Sequence, residues 1–92
     1  MAINSLLDTE FPIIQAPMAG VQDSALVIAV SNAGGLGSLP CAMLTPETLY
    51  AELTAIKSQT EKPFNVNFFC HTPPEPNIEC ELKWLEILQP YF

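Results

Sequence analysis

The chain has 92 residues, 49% of them hydrophobic, and carries ten acidic residues against three lysines and no arginine, a net charge of −7. That balance excludes the clustered cations that grip nucleic-acid phosphates and opposes attraction to an anionic membrane surface. The length suits one small domain with a core, and no apolar run approaches the ~18 residues of a spanning helix.

The N-terminal residues show neither the basic region nor the apolar block of a secretory signal. Cys41, Cys70 and Cys80 are odd in number and irregularly spaced. A disulfide framework or a zinc site is therefore not expected, and reduced thiols in a cytoplasmic protein are.

Residues 1–10 read as a lead-in. Pro12-Ile13-Ile14-Gln15-Ala16 is a short apolar run between two prolines, a buried strand by its pattern. Pro17 has no N–H, so ladder pairing should end there. Asp23 or Ser24 caps a helix over Ala25–Ala33, with Gly34 where a left-handed residue closes a helix. That helix is apolar on nearly every side, which calls for heavy cover. Gly35–Leu39 is the next strand, its glycines implying close approach by a neighbour.

Thr45-Pro46-Glu47 is a helix start, combining a cap, a proline at the first helical position and an acid in the first turn. Leu49, Leu53 and Ile56 follow at helical spacing with Tyr50 on the apolar side, while Glu52, Lys57, Ser58 and Gln59 form the polar face. Phe64–Phe69 alternates as a strand. After the proline-rich loop 72–77, Glu79–Leu88 forms a third amphipathic helix.

The order β-α-β-α-β-α implies a parallel sheet covered by helices. Either an open doubly wound sheet or a (β/α)8 barrel fits, and a complete barrel takes roughly 250 residues. Three strands cannot close one and would leave edges unpaired. The expectation is the first three βα units of a (β/α)8 TIM barrel, incomplete in this chain, with residues 1–92 the N-terminal part of a single domain.

In such folds ligands bind at the carboxyl ends of the strands. Here these are Gln15–Met18, Ser38–Cys41 and Asn67–His71. Gly34-Gly35-Leu36-Gly37 looks like a phosphate loop but follows a helix and opens a strand, the reverse of what phosphate binding needs. A helix C-cap with close packing is the better reading.

Asn65 and Asn67 share one strand face, opposite Phe64, Val66 and Phe68, whose phenyl-bearing face should meet the helices. A buried amide needs partners. For Asn67, contact with a bound heterocycle and a tie between strand backbones are both open; for Asn65, the deeper of the two, the tie is favoured. His71, the sole histidine, reads as a loop residue without direct chemistry. Cys70 could be a nucleophile, but no neighbouring feature of the sequence marks it as activated. Glu75, Glu79, Glu81 and Glu86 read as a solvated face.

Three stretches carry a resemblance: Pro12–Gly20 (PIIQAPMAG), Val30–Ser38 (VSNAGGLGS) and Lys62–Phe69 (KPFNVNFF). In this order and spacing they resemble the N-terminal part of the nitronate monooxygenase family, formerly 2-nitropropane dioxygenases. The resemblance spans roughly residues 10–70. It implies a (β/α)8 barrel holding non-covalent FMN and oxidising alkyl nitronates with molecular oxygen.

Carried over, Ala16, Pro17 and Met18 would line the flavin ring and Asn67 would hydrogen-bond it, with Gln15 a weaker candidate. The family's catalytic histidine and phosphate-binding loop fall beyond residue 92, and His71 does not match that histidine. Met18 offers a polarizable contact to an aromatic ring. Flavin-dependent NAD(P)H reductases of the same fold, acting on quinones or enoyl-thioesters, share the opening strand, although the Pro17-Met18 pair leans toward the monooxygenase. An inactive fragment or interaction module is the remaining alternative.

Overall fold

A computed structural model describes residues 2–92. Its elements are α1 (Ile3–Leu7), α2 (Ser24–Asn32), β1 (Gly37–Pro40), α3 (Pro46–Gln59), β2 (Phe64–Asn67) and α4 (Ile78–Leu88), followed by a 3-10 turn at Gln89–Tyr91. The lead-in thus contains a helical turn, α1, closed by Asp8 in the left-handed region at φ 58°.

The helix boundaries follow local chemistry. The Asp23 side chain accepts from Ala25 N–H at 3.0 Å and caps α2. Thr45 accepts from Thr48 N–H at 3.2 Å, and Pro46 and Glu47 occupy the first turn of α3. Asn77 accepts from Cys80 N–H at 3.1 Å and starts α4 one residue before Glu79. Each cap satisfies a donor that has no partner inside the helix.

At the C-terminus of α2, Gly34 N–H bonds Ser31 C=O at 3.2 Å and Gly35 N–H bonds Val30 C=O at 3.1 Å. With Gly34 at φ 106°, this pair of bonds is a Schellman closure. The glycine cluster is therefore a helix stop. Gly37 answers to packing: a Cβ there would lie 2.5 Å from the Val27 carbonyl oxygen and 2.9 Å from Val27 Cα. Only a residue without a side chain lets β1 run this close under α2.

β1 and β2 are parallel, with Gly37 opposite Phe64 and Pro40 opposite Asn67. The expected first strand is reduced to one parallel bridge, Ile14 with Leu36. It runs alongside β1 through Gln15 N–H to Leu36 C=O and Leu36 N–H to Ile13 C=O, both 2.9 Å. Ile13 and Ile14 remain exposed rather than buried, because neither side chain reaches the layer packed under α2 and α3. β1 is the middle of the three, using alternate residues to face each neighbour.

Val27, Leu39, Cys41 and Ile56 form the core, with Ile28, Leu49, Leu53 and Phe64 packed around it. This is the layer between the sheet and α2/α3. The cover on α2 is lighter than its apolar sequence led one to expect: Val27 and Ser31 are buried, but Ala25 and Ala29 are exposed. On α3, Tyr50 is 75% exposed and does not join Leu49, Leu53 and Ile56. Glu52 departs from the solvated face and accepts from Ser24 N–H at 2.6 Å, neutralising the positive N-terminus of α2.

On the phenyl-bearing face of β2, Phe64 meets the helical layer, whereas Val66 and Phe68 are 43% and 52% exposed. The reason is that α4 runs straight on into the terminal 3-10 turn and does not pack over the sheet. The described residues form an α/β unit with a parallel sheet; they do not close a barrel.

Candidate functional site

The carboxyl edge of the sheet assembles from three chain segments. Cys41 N–H bonds Asn67 C=O at 2.8 Å, which continues the β1–β2 pairing past Pro40. Gln15 brings the first segment to the same edge, its side-chain oxygen accepting from Ser38 N–H at 2.9 Å. The three strand ends expected to lie together are thus joined through Ser38, Pro40 and Cys41.

Ala16, Pro17 and Met18 form the loop that leaves this edge. Ala16 and Met18 are exposed and Pro17 is half-buried. The loop turns back by a bond from Val21 N–H to Met18 C=O at 3.2 Å, with Gly20 at φ 83° where a type II turn requires positive φ. That turn returns the chain so that Gln22 lies beside Met18. Gln22 Oε1 accepts from Met18 N–H at 2.9 Å and from Gln15 Nε2 at 2.7 Å, and Gln22 Nε2 donates to Ser38 C=O at 2.9 Å. Gln15 Nε2 also donates to Ala16 C=O.

The amides of Gln15 and Gln22 complete a ladder that the backbone cannot. After the Ile14–Leu36 bridge, a parallel ladder would next take a bond from residue 17 N–H to Ser38 C=O. Pro17 has no N–H. Gln22 supplies the donor in its place, and Gln15 supplies the acceptor for Ser38 N–H. Sequence pattern left Gln22 unmarked, though a signal exists: a proline where a ladder donor is required, followed by a glycine turn and an amide.

The two asparagines of β2 differ. Asn65 Nδ2 donates to Ser38 Oγ at 3.3 Å, a tie between the two strands made to a side-chain hydroxyl rather than to the backbone. Asn67 is half-buried, and its carboxamide has no hydrogen-bond partner among the described residues. It lies at the last position of β2, beside Pro40.

Of the thiols, Cys41 is 2% exposed, and Cys70 and Cys80 are exposed. Burial pushes the Cys41 thiol up, opposed by its backbone hydrogen bond with Asn67. A buried thiol held neutral is no nucleophile. His71 tilts against Phe69 with ring centroids 6.0 Å apart. A cavity of about 70 Å³ between Glu10, Asn32, Gly35 and Lys62 lies at the opposite, amino end of the strands.

Comparison with known proteins bears on this edge. The family model for nitronate monooxygenase matches residues 1–90. The chain belongs to the nitronate monooxygenase family. It is 45% identical over 91 residues to the nitronate monooxygenase of Paraburkholderia phytofirmans, covering 99% of this chain and 25% of that one. It is 48% identical over 87 residues to the nitronate monooxygenase of Pseudomonas aeruginosa, covering 95% and 25%.

The structure of nitroalkane oxidase from Streptomyces ansochromogenes superposes with a TM-score of 0.73 at 35% identity, covering 99% of this chain and 26% of that one. The chain spans about a quarter of the length of the curated relatives it matches. Among the described residues no helix is long and apolar enough to cross a membrane.

Proposed function

We propose that this chain forms one wall of the FMN site in an enzyme that oxidises alkyl nitronates with molecular oxygen. In this reading residues 1–92 are the N-terminal βα units of a single (β/α)8 barrel domain of a cytoplasmic protein. The observation that supports it is the convergence of the Ala16–Met18 loop and the unpartnered Asn67 carboxamide on one strand-end edge, in a chain of the nitronate monooxygenase family.

The donor chemistry of that edge fits a neutral ring. The residues proposed to face the ring offer a thioether, a proline, an alanine and an amide, and none of the strand-end positions 15–18, 38–41 and 67–71 is Lys or Arg. Such a set can pack an apolar heterocycle and fix it by a few hydrogen bonds, but it offers a phosphate no cation. FMN's phosphate would be gripped by other parts of the barrel.

Met18 would lie against the ring, where sulfur–aromatic contact is favourable. Asn67, able both to donate and to accept, would orient the ring. Bound flavin would supply the redox chemistry between nitronate and oxygen, and the residues of this wall position it. None of them is placed to move a proton: Cys41 is buried and neutral, and the carboxylates of α4 lie on an element that does not reach this edge.

The test is an oxygen-electrode assay of the full-length protein with an alkyl nitronate such as propyl nitronate. Nitronate-dependent oxygen uptake in the absence of NAD(P)H is expected. NAD(P)H oxidation without nitronate-dependent uptake would instead identify a reductase of the same fold.

A further inference from the structure

We propose that Gln22 is a positioning residue of this site: its side-chain amide replaces the ladder bond that Pro17 cannot make and thereby fixes Met18 against the sheet. The inference rests on the reading that the Ala16–Met18 loop faces the flavin.

Ser38 is fully buried at 0% exposure, and β1 is held from both sides, by β2 and by Gly37 N–H bonding Ser31 Oγ of α2 at 3.1 Å. The Ser38 carbonyl is therefore a fixed point. Gln22 grips it through Nε2 at 2.9 Å, and through Oε1 holds Met18 N–H at 2.9 Å and the Gln15 amide at 2.7 Å. One planar group thus connects the rigid strand to the loop backbone.

Without Gln22 the Ser38 carbonyl loses this donor, and Met18 N–H loses its acceptor. The loop would then be tethered by the Val21–Met18 turn and by Gln15 alone. A loop with one fewer anchor samples more conformations, and a ligand that requires a single one binds more weakly. Gln22 touches the loop's backbone, so it sets the loop's position without contacting the ring itself.

Two variants of the full-length protein separate this role from general support. Gln22→Met keeps the size of the side chain and removes every hydrogen bond. Gln22→Glu keeps both acceptor functions of Oε1 and loses the donor to Ser38. Three quantities are read: the FMN dissociation constant by fluorescence quenching, the visible flavin spectrum, and hydrogen exchange of a peptide spanning residues 13–22 in the flavin-free protein.

Gln22→Met is expected to weaken FMN about tenfold, to change the flavin absorption bands, and to speed exchange in that peptide. Gln22→Glu, which sets a carboxylate oxygen where Nε2 meets the Ser38 carbonyl, should likewise speed exchange in that peptide and weaken FMN about tenfold. An unchanged spectrum and affinity in Gln22→Met, with only a lower Tm, would overturn the proposal in favour of plain structural support. Should Gln22→Met fail to fold, Gln22→Glu decides: parent-like exchange of the loop together with parent-like FMN affinity contradicts the proposal. A parent protein that binds no flavin would sink the functional reading, whereas the exchange experiment would still report whether Gln22 holds Met18.

Discussion

Asn65 and Asn67 stand two positions apart on β2, yet only the first finds a partner, the hydroxyl of Ser38. The difference follows from the residue opposite: Asn65 faces Ser38, which offers a hydroxyl, and Asn67 faces Pro40, whose side chain has no polar atom. Both amides were visible in the alternating pattern Phe64–Phe69, and the tie at Asn65 was legible from its depth. The Gln15–Gln22 network was not, because it depends on a turn that brings residue 22 back over residue 18. Cys41 carries a prediction at this scale. Burial raises its thiol pKa in the folded state, so the folded protein holds the proton more tightly than the unfolded one. The associated stability is present below the ordinary thiol pKa of about 8.5 and is lost as pH rises through the folded value. In thermal melts from about pH 7 to about pH 10, Cys41→Ala should lose less Tm with alkalinity than the parent. Parallel curves for the two would exclude the effect.

At the scale of elements, helix ends were the most legible features, since Asp23, Thr45-Pro46 and Gly34 act through bonds to their own neighbours. The first strand was less so. Its residues have a strand's composition, but strand pairing depends on neighbours that no local pattern supplies, and one bridge is what forms. Glu52 was misplaced for a similar reason: its spacing puts it on a polar face, and only the approach of α2 turns that face toward Ser24. Gly37 is where α2 and β1 meet most closely. Gly37→Ala would set a methyl group against the Val27 backbone, which cannot swing aside as a side chain could. The substitution should destabilise the full-length protein by about 1–3 kcal/mol, the usual range for overpacking. Denaturant unfolding measures this; a change below about 0.5 kcal/mol would mean that α2 shifts freely.

For the whole molecule, the apolar surface decides the behaviour. Leu82, Trp84, Leu85 and Ile87 of α4 are all more than half exposed, as are Phe68 and Phe69 after β2. The radius of gyration is 18.3 Å, against about 12 Å for a compact chain of this length. The layered α/β order was legible because helical and strand periods alternate along the chain. The position of α4 was not, since its amphipathic pattern says that one face seeks cover without saying what provides it. Residues 1–92 produced alone are therefore expected to unfold without a cooperative transition and to purify colourless. A sharp calorimetric transition with retained yellow FMN would show that the core around Val27, Leu39 and Ile56 suffices.

The strand-end edge is proposed as a flavin wall, and the Asn67 carboxamide there has no hydrogen-bond partner among the described residues. FMN titration of the full-length protein with Asn67→Ala, beside Asn65→Ala, tests it most directly. Asn67→Ala is expected to weaken FMN by about 1–3 kcal/mol, roughly 5- to 150-fold, while Asn65→Ala lowers stability and leaves the affinity near that of the parent. An FMN dissociation constant unchanged by Asn67→Ala would contradict the account.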